Sequence, residues 1–129
     1  MSRTIKLRIF GAKPPVQKIQ IVLAGAAAKD VNGKLGQQKP KVVDGVEPAF
    51  DATANRSRDV RVIVVDADEL GVATVRELHI VFPSVKIVAL AAGPKTMAAA
   101  LKAGATIVLP RSTPPATLAK IIQRLAKKK

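Results

Sequence analysis

The sequence predicts an α/β fold in which one parallel sheet is covered by helices on both faces. Three observations carry this expectation. Apolar, largely β-branched runs recur at Val60–Val65 and Val85–Ala91, and strands buried on both faces read this way. After each run comes a segment of about ten to fifteen residues with apolar positions at helical spacing. Strands alternating with such helices imply right-handed βαβ crossovers.

The elements follow in order. Thr4 to Phe10 alternates as a strand and Gly11-Ala12-Lys13-Pro14-Pro15 is a turn, so residues 1–16 are expected to add an N-terminal strand and turn. Lys18 to Ala24 reads as the first buried strand. Gly25 to Gly36 begins as a helix but is broken in its second half by Asn32-Gly33, and the polar stretch Asn32–Lys41 reads as a loop. Val42-Val43 forms a brief strand, and Pro48 to Asn55 a short helix holding Phe50 inward.

Val60–Val65 is closed by Asp66 and the acidic turn Ala67-Asp68-Glu69-Leu70-Gly71. A helix from about Gly71 to Phe82 sets Val72, Val75, Leu78, His79 and Phe82 on one face, and Pro83 stops it. After the strand Val85–Ala91, Gly93-Pro94 opens a helix from Lys95 to Ala103 with Met97 and Leu101 inward. Gly104 ends that helix as a C′ residue. Thr106–Leu109 is a short strand. Ser112 or Thr113 caps a last helix with prolines at its start and Leu118, Ile121, Ile122 and Leu125 on its core face.

At 129 residues the chain is expected to be one domain, 1–129, with a basic tail at 127–129. That length buries about two thirds of the extended-chain surface. With no cysteine there is no disulfide, thiol nucleophile or Cys-based zinc site, and with His79 as the one histidine a Ser-His-Asp triad is not expected. No metal and no cofactor are expected. No apolar stretch approaches the roughly 20 residues of a membrane span. Charges alternate from Met1 to Phe10, unlike a signal peptide, so a soluble cytoplasmic protein is the default expectation.

The net charge of +13 is unevenly laid out. Residues 1–41 hold nine Lys/Arg against one acid, residues 42–85 hold four against eight, and residues 86–129 hold nine against none. Basic ends of this kind suit nucleic acid, an anionic membrane surface or an acidic partner. With Phe10, Phe50 and Phe82 as the only aromatics, a base-stacking platform is disfavoured. Arg56, Arg58 and Arg61 form a basic cluster that reads as solvated.

From Val60 to Ala126, about half the chain, this order of features resembles the receiver domain of bacterial response regulators. The matching pieces are the strand before Asp66, the Ala67–Gly71 turn, the helix ending at Pro83 and the strand Ile87–Ala91. They continue through Ala99-Ala100-Leu101-Lys102-Ala103-Gly104-Ala105 and Leu109-Pro110-Arg111-Ser112 before the final amphipathic helix. The resemblance implies a flavodoxin-like three-layer sandwich with a five-stranded parallel sheet of order 2-1-3-4-5.

The resemblance also puts Asp66 at the phosphoacceptor position, and the sequence departs from the pattern around it. The cation of that family is held by two acids after the first strand, where this chain has Ala24 and Gly25. The hydroxyl residue after the fourth strand falls on Ala91, the fifth-strand aromatic on Val108 and the following lysine on Arg111. Mg²⁺ needs carboxylates to hold it, and a planar guanidinium is not a compact ammonium. Asp68 and Glu69 belong to a turn on the far side. Asp66 or Asp68 is therefore expected to cap the helix starting near Gly71, as a vestige of the phosphoacceptor.

The expectation is a degenerate receiver, a non-enzymatic and phosphorylation-independent module of signalling that binds proteins. Receivers commonly dock through the helix after the fourth strand, the fifth strand and the last helix. By position that face holds Lys95, Met97, Lys102, Arg111 and Lys120, which suits an acidic protein partner. The first alternative is a basic, transcription-associated nucleic-acid binder, and the second an atypical receiver phosphorylated on Asp66. A homodimer stays open. Other candidates have plainer roles. His79 is expected as a partly buried, hydrogen-bonded core residue. Gly25–Asp30 lacks a phosphate-loop pattern, and Arg111-Ser112-Thr113 reads as a capping turn that could alternatively bind an anion.

Overall fold

Five short apolar segments line up side by side because each must bury both of its faces and satisfy its backbone through its neighbours. In the computed structural model, which describes residues 20–35, 40–55 and 59–127, they are β1 (Ile21–Ala24), β2 (Lys41–Val43), β3 (Val62–Asp66), β4 (Lys86–Ala91) and β5 (Ile107–Pro110). All pairs are parallel and the order is β2-β1-β3-β4-β5, as expected. The strand expected at Thr4–Phe10, its turn, Arg56 and Arg58 lie outside the described residues.

Among the described residues the helices are α1 (Ala26–Lys29), α2 (Val46–Asn55), α3 (Ala67–Leu70), α4 (Val72–Val81) and α5 (Pro94–Ala103), which connect the strands, and α6 (Pro115–Lys127), which follows the last one. Alternate strand residues divide the core into two layers. Val22, Ala24, Ile63, Val65, Ile87 and Ala89 pack with Ala49 and Ala52 of α2, Val75 and Leu78 of α4, and Ala100 and Ala103 of α5. Ile21, Leu23, Val62, Val64, Val88 and Leu90 face Ala28 of α1 and Leu118, Ile122 and Ala126 of α6. Phe50 is half-buried and meets Phe82 with ring centroids 6.2 Å apart. No described helix is long and apolar enough to cross a membrane.

Several boundaries and burials differ from expectation. β1 starts at Ile21, with Gln20 outside it and residues 18 and 19 outside the description. Val60 and Arg61 precede β3, and Asp66 is its last residue. The expected Gly25–Gly36 helix is one turn long, and 31–35 continue as turns that still bury Val31 and Leu35. Lys127 ends α6 and is not part of a tail. On α5 the face turned to the sheet is built from Ala100 and Ala103, which leaves Leu101 58% exposed and Met97 half-buried. An alanine face lets a helix approach a sheet closely, so small residues won the inward positions.

His79 is another correction, being exposed at the end of α4. On α4 Thr74, Val75 and Leu78 are buried and Val72 and Phe82 pack half-buried against the same core, so of the expected stripe His79 is the position that turns outward. The His79 ring lies against Gly104, the C-cap of α5 at φ +118, where an added Cβ would come within 2.5 Å of the ring.

Candidate functional site at the carboxyl end of the sheet

In a parallel sheet the strand ends and the loops that follow them converge on one edge. Here that edge collects the end of β1 with Gly25–Ala27, the end of β3 with α3, Ala92 after β4 and Arg111 after β5. Asp66 lies at its centre, paired in register with Leu90. Its side chain is 0% exposed.

A buried carboxylate is tolerated when its lone pairs are taken up. Oδ1 of Asp66 accepts from the Glu69 amide at 3.2 Å, which makes Asp66 the N-cap of α3. Oδ2 accepts from the Ala27 amide at 3.2 Å and from Nη2 of Arg111 at 2.8 Å. The cap belongs to α3, one turn earlier than the helix near Gly71 that the sequence suggests. Gly71, at φ +93, separates the two helices.

The two neighbouring acids are exposed but are bonded to loop amides as well. Asp68 and Glu69, expected in a turn, stand in the single turn of α3. Asp68 Oδ2 accepts from the Ala92 amide at 2.7 Å and lies 3.9 Å from Arg111 Nε. Glu69 Oε1 accepts from the Ala26 amide at 3.0 Å. Three carboxylates on one helical turn thus hold the loops after β1, β4 and β5. Arg111 is positioned for this by its own amide, which donates to the Ala91 carbonyl at 3.2 Å.

Gly25 is what lets the β1–α1 loop come so near. Its φ of +101 lies in a region that side chains rarely adopt, and an added Cβ would sit 2.6 Å from Asp66 Cβ. Its amide donates to the Val43 carbonyl at 3.3 Å. Among the described residues no group of three or more His, Asp or Glu is placed to hold a metal ion.

The other sequence-selected positions distribute as follows. Gly25, Ala91 and Arg111 join Asp66 at the strand ends, while Ala24 is buried in β1 against Val43 and Val65. Val108 is half-buried in β5 beside Ala89 and packs into the layer of α2, α4 and α5. Lys95 and Lys102 are exposed on α5 and Lys120 on α6, on opposite sides of the edge strand β5. Sequence reasoning missed the amides of Ala26, Ala27 and Ala92, since only the chain topology brings these featureless alanines to the three acids.

The comparisons with known proteins agree with this geometry. In structure the chain is similar to the receiver domain of NtrX from Brucella abortus, with a TM-score of 0.69, 16% identity and coverage of 85% of this chain and 100% of that one. The signal receiver domain of NarL from Mycobacterium tuberculosis gives a TM-score of 0.71 at 14% identity, covering 88% and 99%. The fold is that of receiver domains. A receiver-like chain can also carry another assignment: a protein assigned to pilus assembly (cpaE) from Burkholderia thailandensis matches with a TM-score of 0.63 and 19% identity, covering 85% and 99%. In sequence, no family model and no curated protein matches.

Proposed function

We propose that this chain is a degenerate receiver: a non-enzymatic regulatory module that acts by binding a protein partner and carries no phosphoryl group. The observation that supports this most is the enclosure of Asp66. Attack on a phosphodonor needs a carboxylate oxygen free to approach phosphorus, with a cation and donors ready for the spreading charge. Both oxygens of Asp66 are already occupied, by Glu69, Ala27 and Arg111, and the side chain has no exposed surface. Installing an acid at position 25 would meet Asp66 before it met a cation.

The test is incubation with acetyl phosphate and Mg²⁺ followed by intact-mass measurement. No adduct is expected. An adduct on the natural chain that disappears in Asp66→Asn would establish the atypical phosphorylated receiver instead.

Partner binding is assigned to the surface of α5, β5 and α6. No acid occurs in residues 86–129, so Lys95, Lys102 and Lys120 have no acidic neighbour in sequence and favour an acidic protein surface. Arg111 stands on the same side but is engaged with Asp66. The same absence of acids supports nucleic-acid binding as a second reading. That reading predicts a complex in a gel shift at physiological ionic strength whose affinity falls steeply with salt.

A further inference from the structure

We propose that the Arg111–Asp66 ion pair is a latch linking the basic α5–β5–α6 surface to the β1–α1 loop, opened when an acidic side chain of a partner captures the Arg111 guanidinium. The proposal rests on the acidic-partner reading above and adds a direction of transmission to it.

Arg111 reaches solvent while pairing with the buried Asp66, and the exposed Asp68 and Glu69 stand beside it. The Arg111 side chain is 39% exposed, against 0% for Asp66. It follows β5 directly, on the edge strand flanked by the helices that carry Lys95, Lys102 and Lys120. Lys95 opens α5 at the carboxyl edge where the Arg111 amide meets the Ala91 carbonyl, whereas Lys102 ends α5 and Lys120 lies on the other face of the sheet. A carboxylate drawn to that edge pairs with guanidinium in a fork geometry.

Loss of Arg111 changes the state of Asp66. The carboxylate would keep only the amides of Glu69 and Ala27 in a site without solvent, and a buried charge without its counter-ion is unstable. It relaxes by turning toward solvent. The bond from Ala27 is the one exposed to that change, because Ala27 and Arg111 share the same oxygen, Oδ2. The β1–α1 loop is then held by Glu69 on Ala26 and by the Gly25 amide on the Val43 carbonyl. The Gly25 backbone lies against Asp66 with no side chain between, so movement of one is felt by the other. Arg111 is therefore a positioning residue, whose effect on the loop passes through Asp66.

Amide hydrogen exchange and NMR test this on the full chain. In Arg111→Gln, the Ala27 amide should exchange at least about tenfold faster, while the Phe82 amide, bonded to Leu78 within α4, stays protected and reports intact folding. Asp66→Asn should loosen Ala27 in the same way and also the Arg111 side chain, which keeps the comparison available if one variant folds poorly. Equal protection of Ala27 in both folded variants and the natural chain overturns the latch. A hexaglutamate peptide probes the direction: shifts at Lys95 should be joined by shifts at Ala26 and Ala27, and only the latter should vanish in Arg111→Gln. Shifts confined to α5 and α6 in the natural chain overturn the transmission and leave the docking reading standing. No shift anywhere removes the docking reading, and the exchange comparison alone then decides the latch.

Discussion

Two sets of charges share the carboxyl side of this sheet and its β5 edge, and they are used in opposite ways. Asp66 is buried while Asp68 and Glu69 reach solvent, yet each of these acids of β3 and α3 has a partner: Asp66 on Glu69, Ala27 and Arg111, Asp68 on Ala92, Glu69 on Ala26. The lysines of α5 and α6 are turned outward, and the last acid of the chain is Glu77. The difference is one of availability. A charge that satisfies buried amides fixes loops but cannot also act on a ligand, whereas a solvated lysine holds little structure and remains free to meet one.

Four substitutions probe this contrast, in descending order of expected effect. Gly25→Asp combines an unfavourable φ with a sub-contact approach to Asp66, and should lower stability by about 2–5 kcal/mol in urea unfolding. A smaller change would mean that the loop can withdraw from Asp66 cheaply. Arg111→Gln removes a charged hydrogen bond to a buried acceptor and should cost about 1.5–3 kcal/mol. That is less than for a fully buried pair, because the guanidinium is 39% exposed.

Asp66→Asn keeps the shape and the cap acceptor but sets an amide NH₂ against donors, for about 1–3 kcal/mol in the same assay. Joint replacement of Lys95, Lys102 and Lys120 by Glu should alter the unfolding midpoint little, by about 0.5 kcal/mol per site or less, while abolishing capture of an acidic partner. A large loss of stability there would give the outward lysines a structural role and blur the contrast. Arg111 is left out of this last set because its reversal would break the inward cluster as well.

Much of this molecule was legible in its residues. The alternation of apolar runs and helical stripes gives the sheet and its helices, and the resemblance from Val60 to Ala126 gives the strand order. What the residues could not convey is how Asp66 is enclosed. Its partners are two amides and an arginine, and the Ala27 and Arg111 contacts span 39 and 45 positions of chain. Leu101 and His79 misled for a related reason. Periodicity ranks faces by bulk, whereas α5 packs through Ala100 and Ala103, and the flank of α4 beside Gly104 carries His79 in the open.

The empty space that is missing at Gly25 has a consequence for any attempt to rebuild phosphotransfer here. A ligand for a cation cannot be added one residue at a time, because every side chain placed at position 25 collides with the very carboxylate it would serve. Restoring the chemistry requires the β1–α1 loop to move away first, and that loop is held by the acids that would have to be freed. The loop and the carboxylate therefore have to move together, and the glycine is what ties the one to the other.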